Sequence, residues 1–582
     1  MKNSFRTLAL MPLLILTCTL FSQVAPPAFK WSKGIGGFFS DIGSSITTDS
    51  SGNVITAGVF SELVNFNPGG ANPAIEYGQF GDAFVTKHDS LGNLIWVQQI
   101  GGEGQDGATG AVTDKDGNIY IIGYFEGTAD LDPNVGTAFA TSLDGKDIFI
   151  TKLNSNGDFI WSKHLEGGGD FSRAERVIIN PFGLGLYVTG SFSDTLDFDP
   201  NNGVTNLITE PFVTTGFLAR YSEDGELVWA KQFEGVDYGM GVSAGINGNI
   251  FLTGIFSDTA TFTSFPSTIT LVSNGQSDIF IAKFKGDGEL LFAKSLGSAN
   301  TDWGFSITND KDGNVLVTGM FSGSMDFDPG AGEEIMEAQG WDVYILKLND
   351  AGEFLWARSF GGQQFEWGNA IVADKNGSIY TTGFFNDTAD FDPGAGVFEL
   401  VAGGYNEIFI HKLDANGNFV WAGQLKGSQL FTTSDNQGFG IVVDNDFNIY
   451  LTGQFDSFID SDPGPLVSNI LALDEVGGGF YRSDFFIVKL EQESTVGIEN
   501  ISQLAAFKYF PNPTSGVLSV NFDTYLDHLQ AEIVDLTGKI VSTQSFSNCN
   551  SIQLDLNVSK GLYFVRLKSN KREIGNFKVS KI

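Results

Sequence analysis

Three short tracts recur in a fixed order along most of this 582-residue chain. One of them, hydrophobic-x-Trp-x-Lys-x-x-Gly, places an aromatic residue at Trp31, Trp96, Trp161, Trp229, Phe292, Trp356 and Trp421. The intervals between these residues are 65, 65, 68, 63, 64 and 65. A fixed period of this length indicates one supersecondary unit that is repeated and stacked, so single motifs must be interpreted inside the repeat.

The other two tracts follow the same period. A glycine in Gly-Asn-Ile-Tyr-x-x-Gly-x-Phe recurs at Gly58, Gly123, Gly190, Gly254, Gly319, Gly383 and Gly453. The tract Asp-x-Phe-Ile-x-Lys ends at Lys87, Lys152, Arg220, Lys283, Lys347, Lys412 and Lys489. Each feature is therefore present in seven copies.

Each copy is typical of four short β-strands. In one of them the predicted strands are 369–374, 378–383, 408–413 and 418–422, and Asn-Gly or Asp-Gly pairs mark tight turns. Four strands in each repeat, with no helical pattern between them, predict an all-β fold and a β-propeller.

The ends of the array favour a closed ring. The first copy begins with the fourth-strand tract at Trp31, and the last copy ends with the third-strand tract at 484–490. These two fragments complete one blade only if the chain ends meet, and closure would remove exposed sheet edges. We therefore predict a seven-bladed β-propeller over residues 23–491, closed by a terminal strand, rather than six blades, eight blades or an open solenoid.

Composition excludes several classes of protein. Asp and Glu number 69 against 33 Lys and Arg, a formal charge of −36, and residues 23–497 alone carry −40. This charge excludes a nucleic-acid binder that relies on clustered basic residues, so no nucleic-acid partner is expected. Two cysteines exclude a disulfide scaffold, and 42% hydrophobic residues are enough for a packed core.

The first 22 residues are typical of a secretory signal peptide. Lys2 and Arg6 precede an uncharged stretch from Leu8 to Phe21, which ends at Ser22. The stretch is shorter than the ~20 residues needed to span a bilayer, so no transmembrane span is expected in the mature chain. The alternative is a buried N-terminal strand.

Residues 492–508 are predicted to be a linker, and residues 509–582 a separate small domain. Alternating strand patterns with Pro, Asn and Gly turns predict an antiparallel Ig-like β-sandwich there.

Two resemblances follow from these motifs. Gly-Asn-Val-Leu-Val-Thr-Gly at 313–319, Met-Asp-Phe-Asp-Pro-Gly at 325–330 and Phe-Leu-Trp-Ala-Arg at 354–358 resemble the SBBP-type β-propeller repeat of bacterial exported proteins. The fourth copy departs from this pattern at Thr261-Phe262. The resemblance implies a propeller outside the cytoplasm, but it implies no common substrate.

The C-terminal domain resembles the type A sorting domain of the Bacteroidetes type IX secretion system. The matching residues are Pro511, Asn512, Pro513, Gly516, Gly538, Lys539, Gly561, Tyr563, Lys578 and Lys581. The resemblance implies the type IX machinery as a partner, and a secreted or outer-membrane cell-surface location. It leaves open whether the protein is released or anchored.

No catalytic, cofactor-binding or metal-binding residue is predicted. His88, His164 and His411 fall at three different repeat positions, which is unlike a shared metal site. Gly102-Glu-Gly-Gln-Asp-Gly107 and Gly241-Val-Ser-Ala-Gly245 match known motifs, but a strand follows each where a helix would be required.

An acidic tract between the second and third strands is the strongest candidate for a cofactor. It reads Asp130-Leu-Asp-Pro133, Asp197-Phe-Asp-Pro200, Asp326-Phe-Asp-Pro329, Asp390-Phe-Asp-Pro393 and Asp460-Ser-Asp-Pro463, with Asn65-Phe-Asn-Pro68 in the first copy. Hard oxygen ligands suit Ca²⁺, which needs 6–8 of them. The alternative is an Asx/Pro turn that ends each unit.

Three functional hypotheses remain. The first is a non-enzymatic binding or adhesion scaffold that holds a glycan, peptide or matrix ligand through loop rims. The second is a secreted hydrolase or lyase that uses carboxylates on polysaccharide or protein. The third is a purely structural surface component. The recurring Trp and Phe residues are interpreted as packing between blades, not as a carbohydrate-stacking set.

Overall fold

The structure is a computed structural model that describes residues 26–37, 39–68, 70, 74–76, 81–201, 203–210, 213–264, 267–427, 434–464, 466–472, 483–492, 507–510, 514–535, 539–569 and 572–581. Within these ranges every regular element is a β-strand, which confirms the all-β prediction. The chain divides into two compact parts between residues 493 and 494. The predicted signal peptide, residues 1–22, and most of the predicted linker lie outside the described residues.

The strands of the first part form four-stranded antiparallel sets, which we call units. Unit 1 contains β2 (Ile42–Thr48), β3 (Val54–Phe60), β6 (Asp82–His88) and β7 (Leu94–Gly102). Unit 2 contains β8 (Gly107–Thr113), β9 (Ile119–Asp130), β10 (Phe139–Leu153) and β11 (Phe159–Leu165). Unit 3 contains β12 (Arg173–Ile179), β13 (Leu186–Ser193), β16 (Thr214–Tyr221) and the first half of β17 (Leu227–Ala244).

The later units repeat the pattern. Unit 4 contains the second half of β17, then β18 (Ile250–Ser264), β20 (Asp278–Phe284) and β21 (Leu290–Leu296). Unit 5 contains β22 (Trp303–Asn309), β23 (Val315–Asp326), β24 (Ile335–Leu348) and β25 (Phe354–Gly362). Unit 6 contains β26 (Trp367–Ala373), β27 (Ile379–Phe385), β30 (Glu407–Leu413) and β31 (Phe419–Gly427).

Unit 7 joins strands from the two ends of the first part. It contains β32 (Gln437–Val443), β33 (Asn448–Asp456), β36 (Ser483–Glu491) and, as its fourth strand, β1 (Ala28–Ile35). The β1–β36 pairing runs antiparallel from Ala28 opposite Glu491 to Ile35 opposite Phe485. First strands of neighbouring units lie side by side, and β32 lies beside β2, so the units form a closed ring.

Short strands extend several units outward. They are β4 (Leu63–Asn65), β5 (Ala74–Glu76), β14 (Thr195–Asp197), β15 (Asn206–Ile208), β19 (Ser267–Val272), β28 (Thr388–Asp390), β29 (Glu399–Val401), β34 (Phe458–Asp460) and β35 (Asn469–Leu471). All except β19 form two-stranded ribbons with each other, and β19 pairs with β18. In units 2 and 5, the ends of the long second and third strands form the same extension.

The recurring glycine of the second strand is required by a close approach of two backbones. The pairing of first and second strands shifts register beside it, for example between Gly304 and Ser306 in unit 5. A Cβ atom on Gly319 would lie 1.8 Å from the Trp303 carbonyl oxygen, and in the other units the equivalent distance is between 1.8 and 2.2 Å. No side chain fits at that distance, so the repeat retains glycine there.

The recurring Trp and Lys connect neighbouring units. The indole N–H of Trp229 and the guanidinium of Arg220 both donate to the Gly286 carbonyl in the next unit, at 3.2 and 2.8 Å. At the joint between units 7 and 1, Trp31 and Lys489 donate in the same way to the Ser90 carbonyl, at 3.1 and 3.0 Å. These contacts agree with the interpretation that the aromatic series packs between units.

The second part is an antiparallel arrangement of β37 (Phe507–Phe510), β38 (Val517–Val534), β39 (Ile540–Asp555), β40 (Gly561–Ser569) and β41 (Arg572–Lys581). Strand β38 pairs with β37 and the end of β39 through its first half, and with β40 and the start of β39 through its second half. Its core is aliphatic and includes Leu518, Val520, Ile533, Leu554 and Val565.

The glycine contact gives a stability prediction. We expect Gly319→Ala to lower the free energy of unfolding by about 1–3 kcal/mol, because the new methyl group overlaps the Trp303 carbonyl. Gly286→Ala is the matched control, since the nearest atoms to a Cβ there lie 3.3 and 3.4 Å away. Urea unfolding followed by fluorescence measures both variants. Equal stabilities of the two variants would contradict the close-approach explanation.

Candidate functional site

The Asp-x-Asp-Pro tracts form hydrogen-bonded turns at the outward extensions. The first carboxylate accepts two backbone N–H groups with one oxygen: Asp326 Oδ1 accepts from Asp328 at 3.0 Å and from Glu334 at 2.8 Å. The second carboxylate accepts a further N–H, as Asp328 Oδ1 does from Gly330 at 2.8 Å. Equivalent bonds are made by Asp130, Asp197, Asp390 and Asp460.

These bonds give the tract a structural role of its own. One carboxylate oxygen accepts the N–H groups of the residues that follow it by two and by eight positions in the chain. It therefore fixes both ends of the loop between those two residues. Among the described residues, no group of three or more His, Cys, Asp or Glu side chains is arranged to hold a metal ion. The Ca²⁺ hypothesis is not tested by this geometry and stays a prediction.

Buried carboxyl groups meet where units 5 and 6 join. Asp342, in β24 of unit 5, and Glu366, just before β26 of unit 6, are 8% and 0% exposed. A Cβ on Gly361 would lie 2.7 Å from Asp342 Oδ1 and 2.9 Å from Glu366 Oε2, so both oxygens face the same glycine. Glu366 Oε2 accepts the Gly362 N–H at 3.0 Å. Only a residue without a side chain leaves room for this pair.

Equivalent pairs occur at other joints. They are Asp484 with Asp41, Asp82 with Asp106, and Asp278 with Asp302, and all six side chains are at most 1% exposed. Between units 6 and 7 the second acid is replaced by Asn436, next to Glu407. In unit 2, Asp147 instead lies 2.5 Å from Nε2 of His164 in the same unit. The sequence reasoning missed the acid pairs because their members belong to different repeats: three pairs are 24 residues apart, and Asp41 and Asp484 lie at opposite ends of the first part.

Burial shifts the ionisation of these groups. It raises the pKa of Glu366 to about 8, with the Gly362 N–H opposing the shift and the neighbouring Asp342 adding to it. Burial likewise raises the pKa of Asp106 to about 7, of Glu407 to about 7 and of Asp342 to about 6. The protonated carboxyl can donate to its neighbour, which removes the repulsion between two buried charges. Glu366 and Asp106 link units directly, because they accept the N–H groups of Gly362 and Gly102 in the preceding unit.

The histidines of the first part are separate from one another. His411 is fully buried and its Nε2 lies 3.0 Å from the Phe391 carbonyl, while burial lowers its pKa to about 3. Burial also lowers the pKa of His88, to about 4. Each is a neutral core residue of one unit.

The structure brings part of the predicted sorting motif together at one end of the second part. Gly561 pairs with Lys581 between β40 and β41, and the Lys581 ammonium donates to the Ser515 carbonyl beside Gly516. The Tyr563 hydroxyl donates to the Ser559 carbonyl at 3.1 Å. These contacts fix the start of β38 against the last strand.

Other motif residues lie apart or are not described. The Lys539 N–H donates to Asp535 Oδ1 at 3.1 Å in the β38–β39 turn, and Lys578 is exposed opposite Phe564. Pro511, Asn512, Pro513 and Gly538 lie outside the described residues. Recognition of the motif by the export machinery stays a prediction for each of these residues.

Exposed apolar side chains recur around the outer extensions. In four units two of them stand four residues apart, near the Asp-Pro turn: Val135 and Phe139, Val204 and Ile208, Val397 and Val401, and Val467 and Leu471. Each is at least 56% exposed. We call this set the apolar rim. Exposed apolar side chains of this size can contribute to a surface that binds a partner.

Comparison with known protein families identifies the tail. Residues 508–579 match the model of the secretion system C-terminal sorting domain. The protein is exported by type IX secretion. The sorting domain directs it to the cell surface or the medium, and implies contact with the type IX machinery. Among the described residues, no helix is both long and apolar enough to cross a membrane.

Two curated relatives match parts of the chain. An uncharacterized WD repeat-containing protein of Acanthamoeba polyphaga mimivirus is 22% identical over 525 residues, which is 75% of this chain and 37% of that protein. The regulatory protein FlaEY of Caulobacter vibrioides is 26% identical over 174 residues, or 29% of this chain and 17% of that protein. The chain thus spans well under half the length of either relative.

Solved structures resemble the chain more weakly. A fungal alcohol oxidase of the AA5 family in complex with copper has a TM-score of 0.37 at 11% identity, over 95% of this chain and 99% of that one. The extracellular domain of a putative hybrid two component system from B. thetaiotaomicron has a TM-score of 0.15 at 10% identity, over 96% and 100%. Scores this low do not establish a shared fold.

The buried carboxyl pairs predict a pH dependence. A raised pKa means that the folded state binds more protons than the unfolded state between about pH 4.5 and pH 8, so stability falls as the pH rises through this window. We expect Glu366→Gln to have nearly wild-type stability at pH 5, and to be more stable than the wild type at pH 8, by on the order of 2 kcal/mol.

Calorimetric Tm values measured from pH 5 to pH 8.5 test this expectation. Glu333→Gln is the control, because it removes the same charge from an exposed position. If the Tm values of the two variants changed with pH in the same way, the stabilisation would be due to the change in net charge and not to the buried pair.

Proposed function

We propose that this protein is a seven-bladed β-propeller delivered to the cell surface as a non-enzymatic binding scaffold. Residues 23–491 would form the propeller and residues 509–582 an Ig-like type A sorting domain, joined by the linker 492–508. The ligand would be a glycan, peptide or matrix polymer. Removal of residues 1–22 as a signal peptide would precede passage across the outer membrane.

The repeated pairing pattern supports the propeller. Each unit has the same strand order, the β1–β36 pairing joins strands from both chain ends, and the units contact each other in a ring. The WD-repeat relative is consistent with this architecture, because WD repeats form propeller blades. The three recurring tracts support assignment of the blades to the SBBP type.

The apolar rim carries the proposal of binding. Its members are solvent-exposed in several units and stand beside loops that the Asp-x-Asp-Pro turns hold in place. A repeated set of equal contacts on a rigid ring suits a repetitive polymer, because several weak contacts add through multivalency. The recurring acids, in contrast, are engaged by backbone N–H groups or buried between units, which favours a structural role for them over catalysis.

Retention on immobilised polymers tests the binding function. The purified full chain should be retained saturably on at least one glycan or matrix protein of an array, with no product released. Val397→Ser combined with Val401→Ser should weaken retention severalfold, while Val228→Ser, at a comparably exposed position on a fourth strand, should not. If product is released, and its release stops when a carboxylate is substituted, the result would favour the hydrolase or lyase. If the chain is retained on no polymer, the result would favour the purely structural role.

Cell fractionation tests the route. A chain without residues 507–582 should accumulate inside the outer membrane, whereas the full chain reaches the surface or the medium. Lys581→Gln should lower export, since it removes the contact with the Ser515 carbonyl, and Lys560→Gln serves as the control. Equal export of the truncated and full chains would contradict this role of the tail.

A further inference from the structure

Three tryptophans do not belong to the repeat. Of the nine in the chain, six occupy the recurring fourth-strand position, and the others are Trp303, Trp341 and Trp367. All three lie in units 5 and 6. A residue found in every unit is explained by the architecture, whereas one found in a single place is not required by it. The position of these three side chains therefore needs a separate explanation.

Equivalent positions in other units show that the ring does not need them. The backbone carbonyl of Trp341 accepts the N–H of Glu366. At the equivalent position in other units, the carbonyls of Gly81, Ser277 and Ser483 accept the same bond. Trp367 begins the first strand of unit 6, where units 1, 2 and 7 have Ile42, Gly107 and Gln437. Small or polar residues thus fill the same backbone sites without loss of the fold.

The three rings converge on one cluster around Trp367. Its ring centroid lies 5.5 Å from that of Trp303 and 6.3 Å from that of Trp341, and Trp341 stacks on it at an interplanar angle of 23°. Phe305 and Phe384 contact Trp367 at 5.4 and 5.2 Å. We call these residues, together with Phe365, which is 5.1 Å from Trp341, the aromatic platform.

The platform has a buried floor and an exposed upper side. Phe305 and Phe384 are 8% and 5% exposed, whereas Phe365 is 39% exposed and the three tryptophans are partly exposed. It lies where the first strands of units 5 and 6 begin, so it borders one mouth of the ring. Large flat apolar surface is thus held in place at a site that solvent reaches.

The polar groups of the platform are neutral donors and acceptors. The Trp303 indole N–H donates to Ser277 Oγ at 3.0 Å, but the buried Trp367 indole N–H finds no acceptor among the described residues. A buried indole N–H normally has a partner. The exposed side chains of Gln363 and Gln364 precede Phe365 in the same loop. These two exposed amides can bond to hydroxyls.

The chain around the platform is acidic as a whole. Residues 23–497 carry a net charge of −40. A polyanion would be repelled by this field. Flat aromatic faces and neutral amides match the apolar face and hydroxyl rim of an uncharged sugar ring.

We infer that the aromatic platform is a binding site for a neutral pyranose polysaccharide, which stacks on Trp341 and Trp367. This inference rests on the proposed binding function. It specifies a glycan as the ligand and the aromatic platform as the site. The apolar rim is a separate surface and is not required for it.

Titration calorimetry of the full chain tests the site with cellohexaose, laminarihexaose and mannohexaose as neutral probes. Hexamannuronate and a proline-rich peptide are the comparison ligands. Trp367→Gln and Trp341→Ser introduce residues that other units carry at the same positions. Trp356→Phe is the matched control, because Phe292 occupies that position in unit 4.

We expect at least one neutral hexasaccharide to bind the wild type. Each platform variant should lower the affinity for it about tenfold, and the affinity of the control should stay within twofold of the wild type. Wild-type fluorescence should shift to the blue on saturation, a readout that does not depend on the folding of any variant. Wild-type affinity in both platform variants would overturn the site and leave the proposed function standing. If only hexamannuronate or the peptide bound, or if no neutral probe bound, the proposed ligand class would be overturned. The array experiment would then remain as the test of the binding function.

Discussion

One contact between neighbouring units underlies the whole ring. At four joints a basic residue of the third strand and a tryptophan of the fourth strand donate to a single hairpin carbonyl of the next unit, as Arg220 and Trp229 do to Gly286. In units 4 and 5 the third-strand lysine donates to the equivalent carbonyl. An isolated four-stranded sheet leaves both faces in water and is marginal by itself. Each unit becomes stable only when its neighbours cover those faces, and the contact sets the distance at which they do so.

The same contact explains why the ring must close. Lys489 and Trp31 belong to opposite ends of the first part, yet they share the Ser90 carbonyl as Lys87 and Trp96 share that of Ser155. Without the β1–β36 pairing, unit 7 would lack its fourth strand and would lose this contact with unit 1. The polar edges left behind would be open to pairing with other chains.

The acidic composition separates into two physical roles. Carboxylates of several turns stay at the surface, where Asp89 Oδ1 accepts the N–H groups of Leu91 and Asn93 and so closes a hairpin. Carboxyl groups at the joints are buried, and burial raises the pKa of Glu366 to about 8. The first role is local in sequence, and was predictable from Asp-x-x-Gly patterns. The second depends on partners in another unit, and was not.

The sequence by itself determined the elements and the destination. The tracts predicted three unit 6 strands to within two residues, since β27 runs from Ile379 to Phe385 against a predicted 378–383, while β31 extends five residues beyond its predicted end at 422. They also revealed the sorting domain, because strand alternation, turns and sorting motifs are local patterns. Only the tertiary structure decided which residues meet across units: the Asp342–Glu366 pair and the platform around Trp367. A repeat pattern reports what every unit shares, whereas contacts between non-equivalent residues arise only when the units stack.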